Sequence, residues 1–587
     1  MLSGAVRWLC RSGSMDRAVV RVLPSEPRLT ISLVLSGTLR QLQRDPAEPL
    51  GRSLSRIAAS AAKGPSKKRK GRAAEPVAGP RVRLWFGGEP VSEDELSGSA
   101  WRDGAVLEVG ESRYRVERNP PACTELRLPG HIMAGFPVCP RLELDFSRPE
   151  LCRFTWYRAA LPAAGCPESE AGRGGAGAGE QRKESPGEAQ AGDCPAGEAG
   201  AEWEEAGEQL VYTPGVSEVG CRLKLRVTPG DGARFGPARE VEAPGPVAAG
   251  PGRCVFEERQ LYTGRLSAEP VTRTVSYNVL AAVYAESEHA RTALFPYCAP
   301  YALQRDYRLC LLQRELTGYR ADLLCLQEVD RDGFTDSLRP AMDAFGLSGV
   351  YKGKDRQLEG LATFYRRSRF TLLSQHDIQL GAALQGEPLH RDIMEKLERY
   401  PGARDRVLNR SSALQVSVLQ STSDPSRKIC VANTHLYFHP KGGNIRLVQI
   451  GVALTHIRHI AYELYPGIPV IFCGDFNSTP STGMYSFITN GTISEDHEDW
   501  TSNGEDERCN MSFTHPFKLK SACGEPAYTN YVGGFHGCLD YIFIDSERIE
   551  VEQIIPLPSH EEVTSHQALP SVSHPSDHIA LICDLKW

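Results

Sequence analysis

Val470-Ile471-Phe472-Cys473-Gly474-Asp475-Phe476-Asn477-Ser478 is the stretch on which the fold turns. Its opening apolar run is too short for a helix and too uniform for a half-solvated strand, so it reads as a strand covered on both faces. Gly474 closes the run, and a carboxylate and an amide follow at once. The same layout recurs through residues 271–587. Thr274-Val275-Ser276-Tyr277 leads to Asn278, Leu323-Leu324-Cys325-Leu326-Gln327 to Glu328, and Ile429-Cys430-Val431-Ala432-Asn433-Thr434 to His435. Asp540 and the Asp577-His578 pair stand beside two further apolar runs. Strands are expected over 274–280, 321–329, 361–365, 412–419, 428–437, 468–474, 539–544 and 578–586, and helices over 302–318 and 444–464. Several strands follow one another without a helix, which favours a two-sheet α/β sandwich flanked by helices over a simple doubly wound sheet.

A polar residue at one strand end is usually a solvated cap, and Asp-Phe-Asn alone is a plausible Asx turn. Repetition at strand after strand points instead to a shared cleft, because a sheet fixes the backbone while side chains at its edge reach outward. The set contains carboxylates, amides and histidines but no thiolate and no dense histidine cluster. That chemistry suits a hard, oxygen-ligated cation such as Mg²⁺, with Mn²⁺ as its substitute, rather than Zn²⁺.

Ser276-Tyr277-Asn278, Leu326-Gln327-Glu328-Val329, Asn433-Thr434-His435, Gly474-Asp475-Phe476-Asn477-Ser478, Leu539-Asp540-Tyr541-Ile542 and Ser576-Asp577-His578 resemble, in order, the motifs of the exonuclease-endonuclease-phosphatase superfamily. The resemblance spans nearly all of 271–587 and implies a metal-dependent phosphodiesterase or phosphatase. By that resemblance Glu328, helped by Asn278, holds the metal, and Asp577 is an outer or second-metal carboxylate. Asp475 orients or deprotonates the attacking water, with Asn477 holding the phosphate. His578, fixed by Asp540, donates to the phosphate, and His435 stabilises the developing charge.

Local detail narrows the substrate. His435-Leu436-Tyr437-Phe438-His439-Pro440 and the run from Tyr528 through Asn530 and Phe535 to Tyr541 resemble the base-stacking segments of deadenylases of the carbon catabolite repression type. This implies adenine held between Phe535 and Pro440 and read by Asn530, on single-stranded oligo(A), poly(A) RNA or 2′,5′-oligoadenylate. Tyr297-Cys298-Ala299-Pro300-Tyr301 and His439-Pro440-Lys441-Gly442-Gly443 resemble the 2′-phosphodiesterase branch, which implies release of 5′-AMP and a place in the mitochondrial matrix. An inositol-phosphate or phospholipid phosphatase of the same fold is the alternative enzyme. A scaffold that binds without turnover is the non-enzymatic one.

The chain has 587 residues, enough for at least two domains. A formal charge of −6 means that phosphate attraction has to come from a local basic cleft. The seventeen cysteines form no CxxC pair and read as reduced thiols. No apolar run is long enough to span a membrane. Residues 1–15, with Arg7 and Arg11 and no acidic residue, have the composition of a mitochondrial presequence, although Met15 offers an internal start. Residues 16–121 are β-rich around a basic loop at 60–80. There Lys67-Lys68-Arg69-Lys70 reads as a solvated loop, with a nuclear signal or an RNA-touching arm as competing readings. Residues 122–260 carry a strand-borne Trp156 and a later Tyr212, which resemble an immunoglobulin-like sandwich. A disordered insertion is expected at 163–208, where Gly, Ala, Glu and Pro dominate.

Overall fold

The computed structural model describes residues 15–62, 80–160, 202–355 and 357–587. The expected presequence, apart from Met15, lies outside them. So do most of the basic loop and most of the insertion.

In the C-terminal half, two six-stranded sheets are stacked. The first runs Leu347–Gly353, Glu359–Arg366, Leu323–Asp330, Val271–Asn278, Leu581–Lys586, Glu550–Ile554. The second runs Phe370–Gln379, Ala413–Ser421, Lys428–His435, Val470–Asp475, Asp540–Asp545, Leu519–Ser521. Each sheet has one parallel pair at its centre, Val271–Asn278 with Leu323–Asp330 and Lys428–His435 with Val470–Asp475. Parallel neighbours need a crossover, and helices Arg305–Gly318 and Gly443–Arg458 supply it. Asn278, Glu328, His435 and Asp475 therefore all sit at or near the carboxyl ends of parallel strands, on one edge of the sandwich.

Side-chain alternation explains the uniform apolar runs. Leu323, Cys325, Ile429, Val431, Ile471, Cys473, Ile542 and Ile544 point between the sheets. Leu324 and Leu326 face the helix Arg305–Gly318 side, while Val470 and Phe472 face the helix Gly443–Arg458 side. Cys325, Cys430 and Cys473 are fully buried among these residues as small hydrophobes. Burial pushes the Cys430 thiol up to about 12. The second expected helix continues past Arg458 as a wider turn over His459–Leu464.

Residues 16–118 form a seven-stranded sheet with helix Leu50–Ala62 packed on it. That helix was not among the expected elements, although Leu50, Leu54 and Ile57 are buried at helical spacing. Between 122 and 242 lie the hairpin Ala122–Arg127 with Arg141–Asp145 and a four-stranded sheet of Glu204–Gly207, Arg153–Ala159, Arg222–Thr228 and Arg239–Glu242. The described residues of this unit hold six strands, short of the seven of an immunoglobulin constant domain. Its core is built on Trp156, which stacks on Tyr212 at 5.4 Å between ring centroids. The expected insertion ends earlier than 208, because Glu204–Gly207 pairs with Arg153–Ala159 as an edge strand. Edge pairing is made by the backbone and needs little apolar side chain, so composition hid it. Met133, Phe136 and Cys139 join the core under helix Arg305–Gly318 and dock this unit onto the two-sheet domain. No helix among the described residues is long and apolar enough to cross a membrane.

Candidate active site

Glu328 interrupts its own strand. The pairing with Glu359–Arg366 shifts between Leu326 and Val329, and Glu328 takes a left-handed φ of 55°. That conformation costs a non-glycine residue about 1–3 kcal/mol and turns the carboxylate toward the sheet edge. Oε2 accepts from the Ala281 amide at 3.0 Å and Oε1 from Asn278 Nδ2 at 2.9 Å. Burial, then the facing Asp577 carboxylate, raises the Glu328 pKa. Asn278 also donates to Asp475 Oδ2 at 3.0 Å, while its oxygen accepts from the Leu280 amide. Arg308 is buried and donates to the carbonyls of Val279, Leu280 and Pro575, bracing this turn.

Gly474 lets the second sheet deliver Asp475, since a Cβ there would collide with the Thr434 carbonyl oxygen. Asp475 Oδ1 accepts from the Asn477 amide at 2.9 Å, and Asn477, at φ 50°, donates its side-chain amide to Leu436 at 3.1 Å. Burial, then Asp540, raises Asp475 to about 6, opposed by His578 and Asn278. His578 Nδ1 donates to Asp540 Oδ2 at 2.7 Å, and its Nε2 lies 3.7 Å from Asp475 Oδ2. Burial opposes charge on this ring, but Asp540, Asp475 and Asp577 outweigh it and hold the pKa well above the usual histidine value. Thr529 donates its hydroxyl to Asp540 at 2.6 Å.

His435 is set from behind. The Lys354 ammonium donates to Nδ1 at 3.0 Å and is paired with Glu359 at 2.6 Å. The ring therefore carries its proton on Nε2, 3.6 Å from Asp475 and 4.0 Å from Glu328. Burial, then Lys354 and His578, keeps it neutral by lowering its pKa well below the usual value. Beneath the cleft, Gln327 donates to Asn433 Oδ1 at 2.9 Å and Asn433 donates to the carbonyls of Leu326 and Ala362, tying the two sheets together. Lys354, Glu359, Thr529 and Arg308 were not singled out from sequence. Their roles arise only from contacts between segments distant in the chain.

The donor set fits a hard divalent cation. Glu328 and Asp577 bring two carboxylates together, and Asp540 Oδ1 is buried without a hydrogen-bond partner among the described residues. Glu328 and Asp577 are residues that could hold it. Asn278 stands beside them, its oxygen accepting from the Leu280 amide and its NH₂ donating to Glu328 and Asp475. Asp475, Asp540 and His578 also bring ligand atoms within 4.8 Å of one another, a second group that could hold a cation.

A cavity of about 850 Å³ opens over these groups, lined by Glu328, Asp475, His578, Tyr437, Pro440 and Phe535 among others. Phe535 is 47% exposed and Pro440 is exposed, on segments at the cavity wall. Asn530 lines the same space, but its side-chain amide donates to Asp577 at 3.2 Å, so it braces that carboxylate. Tyr284, Leu294, Phe295 and Phe438 add apolar wall that the sequence reading did not identify.

Residues 275–578 match the model of the Endonuclease/Exonuclease/phosphatase family, and residues 120–248 match that of the 2′,5′-phosphodiesterase 12-like N-terminal domain. The chain is 60% identical over 596 residues to 2′,5′-phosphodiesterase 12 of Bos taurus, covering 98% of this chain and 95% of the relative. This chain belongs to the endonuclease/exonuclease/phosphatase family. All of the expected site residues fall inside the family match, with His578 as its last residue. A second relative, the CCR4-Not complex 3′-5′-exoribonuclease subunit Ccr4 of Schizosaccharomyces pombe, is 31% identical over 53% of this chain and 48% of its own length. Among solved structures, ANGEL2, a 2′,3′-cyclic phosphatase, is 25% identical over 54% of this chain and 95% of its own, with a TM-score of 0.44.

Proposed function

We propose that this cleft is a metal-dependent phosphodiesterase site that hydrolyses 2′,5′-oligoadenylates and the 3′ adenosine tails of RNA, releasing 5′-AMP. The observation that carries the reading is the convergence of Asn278, Glu328, His435, Asp475 and His578 within hydrogen-bond or near-contact distance at one edge of two sheets. The 60% identity to 2′,5′-phosphodiesterase 12 supports the substrate. When bound by Glu328 and Asp577, Mg²⁺ or Mn²⁺ supplies Lewis-acid polarisation of a phosphoryl oxygen. Asp475, with a pKa near 6, accepts a proton from the attacking water at neutral pH. His578 donates to a phosphoryl oxygen, His435 presents Nε2–H to the developing charge, and Asn477 holds the phosphate near Asp475. Phe535 and Pro440 hold the terminal base.

The cavity wall argues against a multiply phosphorylated headgroup. Of its cations, Lys354 is paired with Glu359 and Arg446 donates to the carbonyls of Tyr437, His439 and Pro440. Arg410 lies over the Tyr437 ring. The composition of residues 1–15 supports a mitochondrial matrix address, and the Trp156–Tyr212 stack supports kinship of the 122–260 unit with immunoglobulin-like sandwiches.

Incubation with 2′,5′- and 3′,5′-linked oligoadenylates and matched oligouridylates, with Mg²⁺ or a chelator, tests the reading. AMP release from both adenylate linkages, with modest discrimination between them, is expected only with metal. Release of inorganic phosphate from an inositol polyphosphate without AMP from oligoadenylate overturns it. In the same assay Phe535→Ala raises KM for oligoadenylate roughly 5- to 150-fold, the loss of one base stack, with a smaller effect on kcat. An unchanged KM removes Phe535 from the base site.

A further inference from the structure

Away from the cleft, a second group of ligand-type side chains has no role in the chemistry above. Glu387 follows helix Leu380–Gly386, His390 closes the next turn, and His456 lies near the end of helix Gly443–Arg458. About three helical turns separate His456 from Arg446, which contacts the active-site loop. His390 is 0% exposed, and neither of its ring nitrogens has a hydrogen-bond partner among the described residues. His456 is buried too, and its Nε2 is likewise without a partner. Buried imidazole nitrogens are normally satisfied, so this much orphaned polarity in one place calls for a ligand.

The spacing matches a metal. Ligand atoms of Glu387, His390 and His456 all lie within 4.8 Å of one another, and His456 Nε2 is 3.6 Å from Glu387 Oε2. Tetrahedral zinc with bonds of about 2.0–2.1 Å places its ligand atoms about 3.3–3.4 Å apart. The two rings are 4.4 Å apart between centroids and inclined at 59°, so they converge instead of stacking flat. Burial lowers His390 to about 4, and burial together with the neighbouring His390, His459 and His376 lowers His456 to about 3. Both rings are therefore neutral at physiological pH, the form in which imidazole binds a metal.

We propose that Glu387, His390 and His456 bind one Zn²⁺ as a structural site separate from the catalytic cation. Two imidazoles and one carboxylate favour zinc over magnesium, which prefers oxygen. Glu387, with its side chain 48% exposed, leaves the outer side of the site open to a water as fourth ligand. Such a site pins residues 387–390 onto helix Gly443–Arg458, whose first turns carry the arginine that holds Tyr437, His439 and Pro440.

The test uses the full chain, stripped by chelator, given Zn²⁺ in millimolar Mg²⁺, then desalted and assayed for metal. Because the catalytic centre also attracts zinc, the measurement is made in Glu328→Ala. About one zinc per chain is expected to remain there, and to be lost from Glu328→Ala/His390→Asn. Glu387→Gln replaces a half-exposed side chain, so its fold is safe, and it weakens zinc affinity about tenfold or more against a competing indicator. Added zinc raises the melting temperature of Glu328→Ala, and by less in Glu328→Ala/Glu387→Gln. No zinc retained by Glu328→Ala, or an affinity unmoved by Glu387→Gln, overturns the site without touching the assignment of the cleft.

Discussion

Glu328→Ala is expected to lower kcat on oligoadenylate by about a thousandfold or more while the protein stays folded. A bound cation contributes several kcal/mol to stabilising charge at a transferring phosphoryl group, and each 1.36 kcal/mol is about tenfold in rate. The fold should survive for an equally physical reason. The carboxylate is mostly shielded and faces Asp577, so its removal relieves like-charge repulsion, leaving only the Asn278 amide and the Ala281 N–H to find water. Alanine inherits the same strained backbone at φ 55°, so no new strain is introduced. Glu328→Gln keeps the shape and removes the charge, and it should be nearly as inactive. Single-turnover AMP release, read beside thermal unfolding, separates the two effects. A kcat within tenfold of the unaltered protein, at an unchanged melting temperature, would take Glu328 out of the metal site.

The sandwich was legible because its central strands carry their message in one dimension. Leu323 to Leu326 and Val470 to Cys473 are apolar on both faces, which only a doubly covered strand tolerates. Edge strands carry no such signal. Leu347–Gly353 and Phe370–Gln379 mix polar and apolar residues and were not expected, because one side of each meets solvent. The candidate site divides in the same way. Glu328, His435 and Asp475 stand at the ends of readable strands, so their positions follow from the runs before them, and His578 stands just ahead of the strand Leu581–Lys586. Lys354 and Glu359 flank a turn between two strands, and nothing local shows that one sets the proton on His435 and the other balances the charge. Asn278 marks a sharper limit. Its sequence position was right for the site, but whether its oxygen or its nitrogen faces Glu328 depends on the Leu280 amide, which only the folded turn presents.

His578→Gln should cut kcat roughly 10²–10³-fold and move the acid limb of the pH–rate profile upward. The first effect is the loss of one charged, buried donor to the phosphoryl oxygen. The second follows from Asp475. Burial and Asp540 raise that carboxyl to about 6, while the His578 cation, 3.7 Å away, pulls it down. A base has to be ionised, so activity falls as pH drops through the Asp475 pKa. Removing the cation lets burial and Asp540 act unopposed, the pKa rises, and the limb shifts to higher pH. Asp475→Asn, by contrast, should abolish the limb along with nearly all turnover. Profiles of kcat measured from about pH 5 to about pH 8 decide the matter. An acid limb that stays put or moves downward in His578→Gln means that Asp475 is not the titrating base, and the proton accepted from water has to be placed elsewhere in the cleft.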